Sequence, residues 1–86
     1  MYKIKFKASV LKDIRKIPQV FLEKIEVTIA ELSKTPLPDR VRKIQGYDKF
    51  YRLRVGMYRV VYSIEDEIKI ITIIKIGHRK EVYQRL

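Results

Sequence analysis

The sequence predicts a compact α+β domain, with an N-terminal strand and a helical hairpin packed on a mainly antiparallel sheet and a short C-terminal helix or tail. Three patterns point to it. The stretch Tyr51-Arg52-Leu53-Arg54-Val55-Gly56-Met57-Tyr58-Arg59-Val60-Val61-Tyr62 alternates with period two on both sides of Gly56, as two strands joined by a tight turn do. Leu22, Ile25, Ile29 and Leu32 recur at intervals of three and four, which lines them up on one face of a helix. Tyr2, Ile4 and Phe6 alternate with Lys3, Lys5 and Lys7, so the chain opens with a half-buried strand whose outer face is all lysine.

After that strand, Ser9 offers an N-cap for a short helix in which Leu11, Ile14 and Ile17 keep helical spacing. Proline suits a first helical turn, so Pro18 begins a second helix, which runs to about Ser33. Glu23, Lys24, Glu26 and Glu31 fall largely off its apolar stripe, and the two helices form an antiparallel hairpin across one face of the sheet. Thr35-Pro36-Leu37-Pro38-Asp39 ends the second helix in an extended connector. Arg40, Arg42 and Lys43 follow, as a solvated loop or as additions to a basic surface. Gly46 and Asp48 mark a turn, and Lys49 begins the first hairpin strand.

On that strand Tyr51, Leu53 and Val55 share one face, and Arg52 and Arg54 the other. On the second strand Tyr58, Val60 and Tyr62 make the apolar face, with Met57, Arg59 and Val61 opposite. If the apolar faces pack on one core, Arg52, Arg54 and Arg59 emerge together, with no carboxylate interleaved among them. Guanidinium groups this close repel by about 1 kcal/mol per pair even at water-like dielectric and ~4 Å separation. A solvated face ordinarily mixes charge signs. The cluster invites an anion. Beyond it, Glu65, Asp66 and Glu67 mark a second turn, and residues 68–76 read as an isoleucine-dense central strand covered on part of both faces and stopped by Gly77. The tail from Gly77 to Leu86 again gathers cations beside a tyrosine.

The 86 residues are enough for one domain, 1–86, and carry a net charge of +10, from 20 Lys and Arg against 10 Asp and Glu. Such an excess suits a polyanion or an acidic protein partner. Cysteine is absent and histidine occurs once, which removes disulfides and makes a thiolate or histidine metal site a poor expectation; no metal and no cofactor are expected. No apolar run is long enough to cross a bilayer and the N-terminus has no signal-peptide pattern, so a soluble cytoplasmic protein without a membrane partner is expected.

The chemistry on offer is correspondingly narrow. There is no phosphate-binding glycine loop and no cysteine nucleophile, and the acidic residues of 65–67 sit together on one turn. Arginines, lysines, tyrosines and His78 remain. Those groups suit RNA cleavage, because the 2′-hydroxyl of RNA is its own nucleophile. The protein must deprotonate that hydroxyl, stabilise charge on the phosphorane-like transition state and help the 5′-oxygen leave. Arginine stays protonated in proteins, so Arg52 and Arg54 are poor general bases. A tyrosine serves only if nearby cations favour its phenolate.

With Lys12-Asp13-Ile14-Arg15-Lys16-Ile17-Pro18, Lys43-Ile44-Gln45-Gly46 and Gly77-His78-Arg79-Lys80-Glu81-Val82-Tyr83 added to the hairpin, the sequence resembles the RelE/ParE toxin superfamily over nearly its whole length. The resemblance implies a RelE-like fold. It also implies a toxin that cuts messenger RNA in the ribosomal A site without a metal and is neutralised by a RelB-like antitoxin. Arg52, Arg54 and Arg59 match the RelE-type basic positions and Tyr83 the C-terminal tyrosine; the further cation falls on Arg79 or Lys80. Arg40, Arg42, Lys43, Lys49 and Lys80 are the candidate RNA contacts beside them. Well-studied RelE-type enzymes carry lysine at the first two basic positions. Arginine at both shifts the base role to Tyr83, with His78 next. ParE-type relatives share the fold and poison DNA gyrase, which is the alternative reading; an inactive RNA-binding module is a third.

Overall fold

The computed structural model describes residues 1–78, and among them seven elements follow in order: β1 (Lys3–Phe6), α1 (Val10–Arg15), α2 (Gln19–Leu32), β2 (Arg42–Lys43), β3 (Phe50–Val55), β4 (Tyr58–Glu65) and β5 (Ile70–His78). The strands form one sheet in the order β1-β5-β4-β3-β2. Only the β1–β5 pair is parallel; the other three pairings are antiparallel. This is the α+β arrangement expected. The expected C-terminal helix or tail lies outside the described residues.

The helices cover one face of the sheet. Ile25, Ile29 and Leu32 of α2 are buried against Leu53, Val60, Tyr62, Ile64, Ile71, Ile73 and Ile76, with Leu22 packed on the margin. Pro18 is the N-cap of α2, and its carbonyl accepts from the N–H groups of Phe21 and Leu22 at 3.0 Å. The short helix departs from expectation. Val10 is completely buried while Leu11 is 57 % exposed, so the core stripe is Val10, Ile14 and Ile17. Ser9 is the N-cap, but its side chain makes no capping bond.

Two pins hold the helical layer to the sheet. The Tyr2 N–H donates to the Ser33 carbonyl at 2.9 Å, and the Ser33 hydroxyl donates to the Tyr2 carbonyl at 2.8 Å, tying the end of α2 to the start of β1. The buried Tyr62 hydroxyl donates to the Pro36 carbonyl at 2.7 Å and anchors the proline connector.

β5 corrects the expected strand at both ends. Ile68 is exposed in the turn, β5 begins at Ile70, and Gly77 lies inside the strand instead of stopping it. The register of β4 on β5 shifts between Val61 and Tyr62, so Val61 faces Lys75 whereas Tyr62 faces Ile73. A bulge of this kind puts one extra residue in the strand and changes the phase of alternation. It explains why Ile71, Ile73 and Ile76 all reach the core while Ile74 packs on the other side, against Val61 and Ile44. β1 pairs with β5 only as far as Phe6 opposite Ile73. Beyond that point α1 takes over the edge: Asp13 Oδ2 accepts the Ile76 N–H at 3.1 Å, and Asp13 Oδ1 lies 3.9 Å from Lys75 Nζ. No helix among the described residues is long and apolar enough to cross a membrane.

Burial raises the Tyr62 hydroxyl well above the ordinary tyrosine range, with neighbouring Tyr51 adding to the effect. Above about pH 10 the unfolded chain sheds a proton there that the folded protein keeps. Stability at this position is therefore full below about pH 10 and declines as pH rises further. Tyr62→Phe is expected to lower the unfolding free energy by about 1–2 kcal/mol at neutral pH and to flatten the alkaline decline. Urea unfolding from pH 7 to about pH 11 checks both, and an unchanged alkaline slope contradicts the assignment.

Candidate functional site

The sheet face opposite the helices carries the arginines of the hairpin. The β3–β4 hairpin closes through the two-residue turn Gly56-Met57, with Val55 paired to Tyr58. Gly56 has φ +61, the left-handed geometry that a II′-type hairpin turn reserves for glycine. That turn fixes the register beyond it. Arg54 stands opposite Arg59, and Arg52 opposite Val61, while Leu53 opposite Val60 points into the core.

β2 then adds a fourth guanidinium. It was expected as a loop, but residues 42–43 pair with β3, which sets Arg42 directly opposite Arg52. Arg42, Arg52, Arg54 and Arg59 thus share one face on three adjacent strands, which lie about 4.8 Å apart. Directly opposed residues have Cβ atoms about 4.5–5.5 Å apart. Arg52 and Arg59 are half-buried, and Arg42 and Arg54 exposed. The Arg54 Nε–H donates to the Gly56 carbonyl at 3.2 Å, folding that side chain back toward the turn.

The basic character runs on across the sheet. β1 places Ile4 on the core side, so Lys3 and Lys5 lie on the arginine face. Neither lysine was a sequence candidate. The Tyr-Lys-Ile-Lys-Phe alternation held the signal, but only the β1–β5 pairing puts it beside the hairpin. Among the described strand residues of this face, the one carboxylate is Glu65, at the far end of β4. Six residues of strand separate it from Arg59, roughly 20 Å, or about two Debye lengths at ordinary ionic strength. It cannot offset the arginines.

Part of the face is also apolar. Ile44 and Val61 are buried there, with Phe50 and Ile74 packed against them, under the loop that joins β2 to β3. Val61 was expected to project outward and instead lies fully covered. Tyr47 from the same loop stacks on Phe50, with ring centroids 5.5 Å apart and planes at 14°.

Other candidates lie elsewhere. Lys43 is opposite Tyr51, whose ring packs on the core, so Lys43 sits on the helix side of the edge strand. Arg40 lines a cleft of about 450 Å³ beside α2 with Glu31, Lys34 and Asp39, and a neighbouring one with Glu23 and Arg54. Lys49 takes a left-handed conformation, φ +65, and its carbonyl accepts the Ile64 N–H at 3.1 Å. His78 is opposite Tyr58 on the core side and meets its ring edge-on at 5.9 Å, away from the arginine face. Arg79, Lys80 and Tyr83 lie outside the described residues.

The family model "ParE toxin of type II toxin-antitoxin system, parDE" matches residues 4–83. The mRNA interferase toxin RelE of Escherichia coli is 30 % identical over 86 residues, spanning 95 % of this chain and 90 % of that protein. Toxin RelG of Mycobacterium tuberculosis is 30 % identical over 98 % of both chains. In three dimensions the chain resembles a chain of the archaeal RelE–RelB complex from Pyrococcus horikoshii, with a TM-score of 0.82 at 29 % identity over 93 % of this chain and 97 % of that one.

Like charges directly opposite each other weaken a strand pair. Arg54→Thr replaces one of two opposed arginines with a good strand former, and is expected to leave folding stability unchanged or raise it by up to about 0.5 kcal/mol. The same change should weaken binding to a polyanion such as heparin. Urea unfolding and heparin-column elution check the pair of effects. A stability loss above about 1 kcal/mol would show that Arg54 is there for the fold.

Proposed function

The chain belongs to the RelE/ParE toxin superfamily, in its RelE type, and we propose that it is a ribosome-dependent endoribonuclease that cuts messenger RNA in the A site without a metal ion. The observation that carries this reading is the face holding Arg42, Arg52, Arg54 and Arg59, rigidly backed by the core. The relative named mRNA interferase toxin RelE supports it, as does the relative named toxin RelG.

In this reading Arg52 and Arg54 grip the phosphates on either side of the scissile bond, with Arg42 extending the grip. The 2′-oxygen attacks phosphorus and the bond to the 5′-oxygen breaks, leaving a 2′,3′-cyclic phosphate and a 5′-hydroxyl. Arg59 stabilises the charge that grows on the non-bridging oxygens. Tyr83 takes the proton from the 2′-hydroxyl, and Arg79 or Lys80 assists the leaving oxygen. A RelB-like antitoxin neutralises the toxin by covering the basic face or displacing the tail beside it.

A second reading has an observation of its own: the matching family model is described as ParE, and arginine replaces both leading lysines of well-studied RelE-type enzymes. The alternative is a protein-binding poison of DNA gyrase. Toeprinting of a translated message separates the two, with programmed ribosomes compared against naked RNA. The proposal expects an A-site cut on programmed ribosomes and none on naked RNA. No cut on ribosomes, together with trapped gyrase–DNA complexes in a parallel assay, supports the ParE reading.

A further inference from the structure

We infer that Tyr47 is a nucleobase-stacking residue, the aromatic platform on which one base of a single-stranded RNA lies while the arginines hold its backbone. The inference rests on the RNA-directed reading of the arginine face and adds to it a subsite that composition and alternation did not indicate.

Three features of the loop build this platform. Tyr47 is 42 % exposed although its ring is large and partly apolar, and it stands over the basic side of the sheet. Phe50 lies beneath it in near-parallel contact, and Phe50 is itself fixed by packing against Ile44 and Val61. The ring plane is therefore set before any ligand arrives, which lowers the ordering cost of stacking.

The backbone is bent to achieve this. Gly46 has φ +87 and Lys49 has φ +65, so left-handed residues flank Tyr47 and Asp48 on both sides. A Cβ at Gly46 would meet nothing within 4 Å, so glycine is needed there for its dihedral and not for space. A lysine in that region is strained, and such strain persists only where the surroundings fix it. Here the Ile64 N–H bonds to the Lys49 carbonyl at 3.1 Å, and the Tyr47 N–H donates to the Ile44 carbonyl at 3.3 Å. The result turns Tyr47 back over Phe50.

The setting matches an RNA base. A cleft of about 560 Å³ opens at the loop, lined by Gln45, Tyr47 and Asp48 among others, and supplies hydrogen-bonding groups beside the ring. Phe50 precedes Arg52 by two residues on the same face, about 6.6 Å along the strand. The Tyr47 ring is thus on the order of 10 Å from the Arg52 backbone, a span that a nucleotide and an extended guanidinium arm bridge together. Aromatic platforms beside basic tracks bind single strands with little sequence preference, because every base has a π-face. The other tyrosines of the hairpin are unsuited, since Tyr51, Tyr58 and Tyr62 belong to the core side.

The test is binding of a short single-stranded RNA at low salt, followed by fluorescence anisotropy, with an abasic nucleotide moved along the strand. Tyr47→Phe keeps the ring and is expected to bind within about 2-fold of wild type. Tyr47→Leu fills the space on Phe50 without a π-face and is expected to bind about 5- to 100-fold more weakly. One abasic position should weaken wild type by a similar factor and have no further effect in Tyr47→Leu. Equal binding by Tyr47→Leu and wild type, an abasic penalty that persists in Tyr47→Leu, or no measurable RNA binding by wild type each overturns the inference. A protein that binds this way yet leaves ribosomal messages uncut keeps the platform and loses the nuclease reading, so the two fail separately.

Discussion

The register of β3 against β4 decides which side chains meet on each side of the sheet. From Phe50 opposite Ser63 to Val55 opposite Tyr58, it sends Leu53, Val60 and Tyr62 under the helices and Arg52, Arg54 and Arg59 outward. A slip of one residue would exchange the two sets. Burying an apolar side chain is worth about 1.5–3 kcal/mol, so exposing these three would cost several kcal/mol before any arginine was buried. Burying the guanidinium groups would add several more for each charge left without a partner. The short turn with glycine at its left-handed position has one register available, and the core rewards that register alone.

That constraint lets the protein keep a surface that opposes its own folding. Arg54 faces Arg59 and Arg42 faces Arg52, each pair repelling by about 1 kcal/mol or less in water. The layer directly beneath, with Leu53, Val60, Tyr62 and Ile76 almost wholly buried, outweighs this several times over. The repulsion is therefore tolerated. In the proposed function this basic face meets a phosphate backbone, and strands that already fix its register need little rearrangement when the phosphate arrives.

Much of this was legible in the chain because period-two and period-three-to-four patterns report directly on faces. The hairpin, α2 and the two-sided first strand emerged where those patterns placed them. What escaped depended on contacts between distant segments. Val10, not Leu11, faces the core because the short α1 is aimed by its docking on β5, and six residues carry too little periodicity to show it. The bulge at Val61 and Tyr62 hid the true phase of β5 behind an excess of isoleucine. Gly77 read as a stop, yet it continues a strand whose outer edge is capped by Asp13 from another element. Arg42 and Lys43 looked like loop cations because a two-residue edge strand has no pattern of its own. Tyr47 is, by sequence, a lone tyrosine in a polar loop; its stacked place comes from Phe50 beneath it and from a left-handed lysine, neither of which composition displays.

The central claim is that a rigid guanidinium on this face stabilises a phosphorane-like transition state, and Arg59→Ala measured in single turnover on programmed ribosomes tests it most directly. The cleavage rate at saturating toxin is expected to fall by ~10²-fold or more, as when one donor to a developing oxyanion is removed. Ribosome affinity is expected to change far less, because the lost interaction strengthens only as charge develops. A variant that binds ribosomes poorly yet cuts at the normal rate when saturated would make Arg59 a docking residue and contradict the claim.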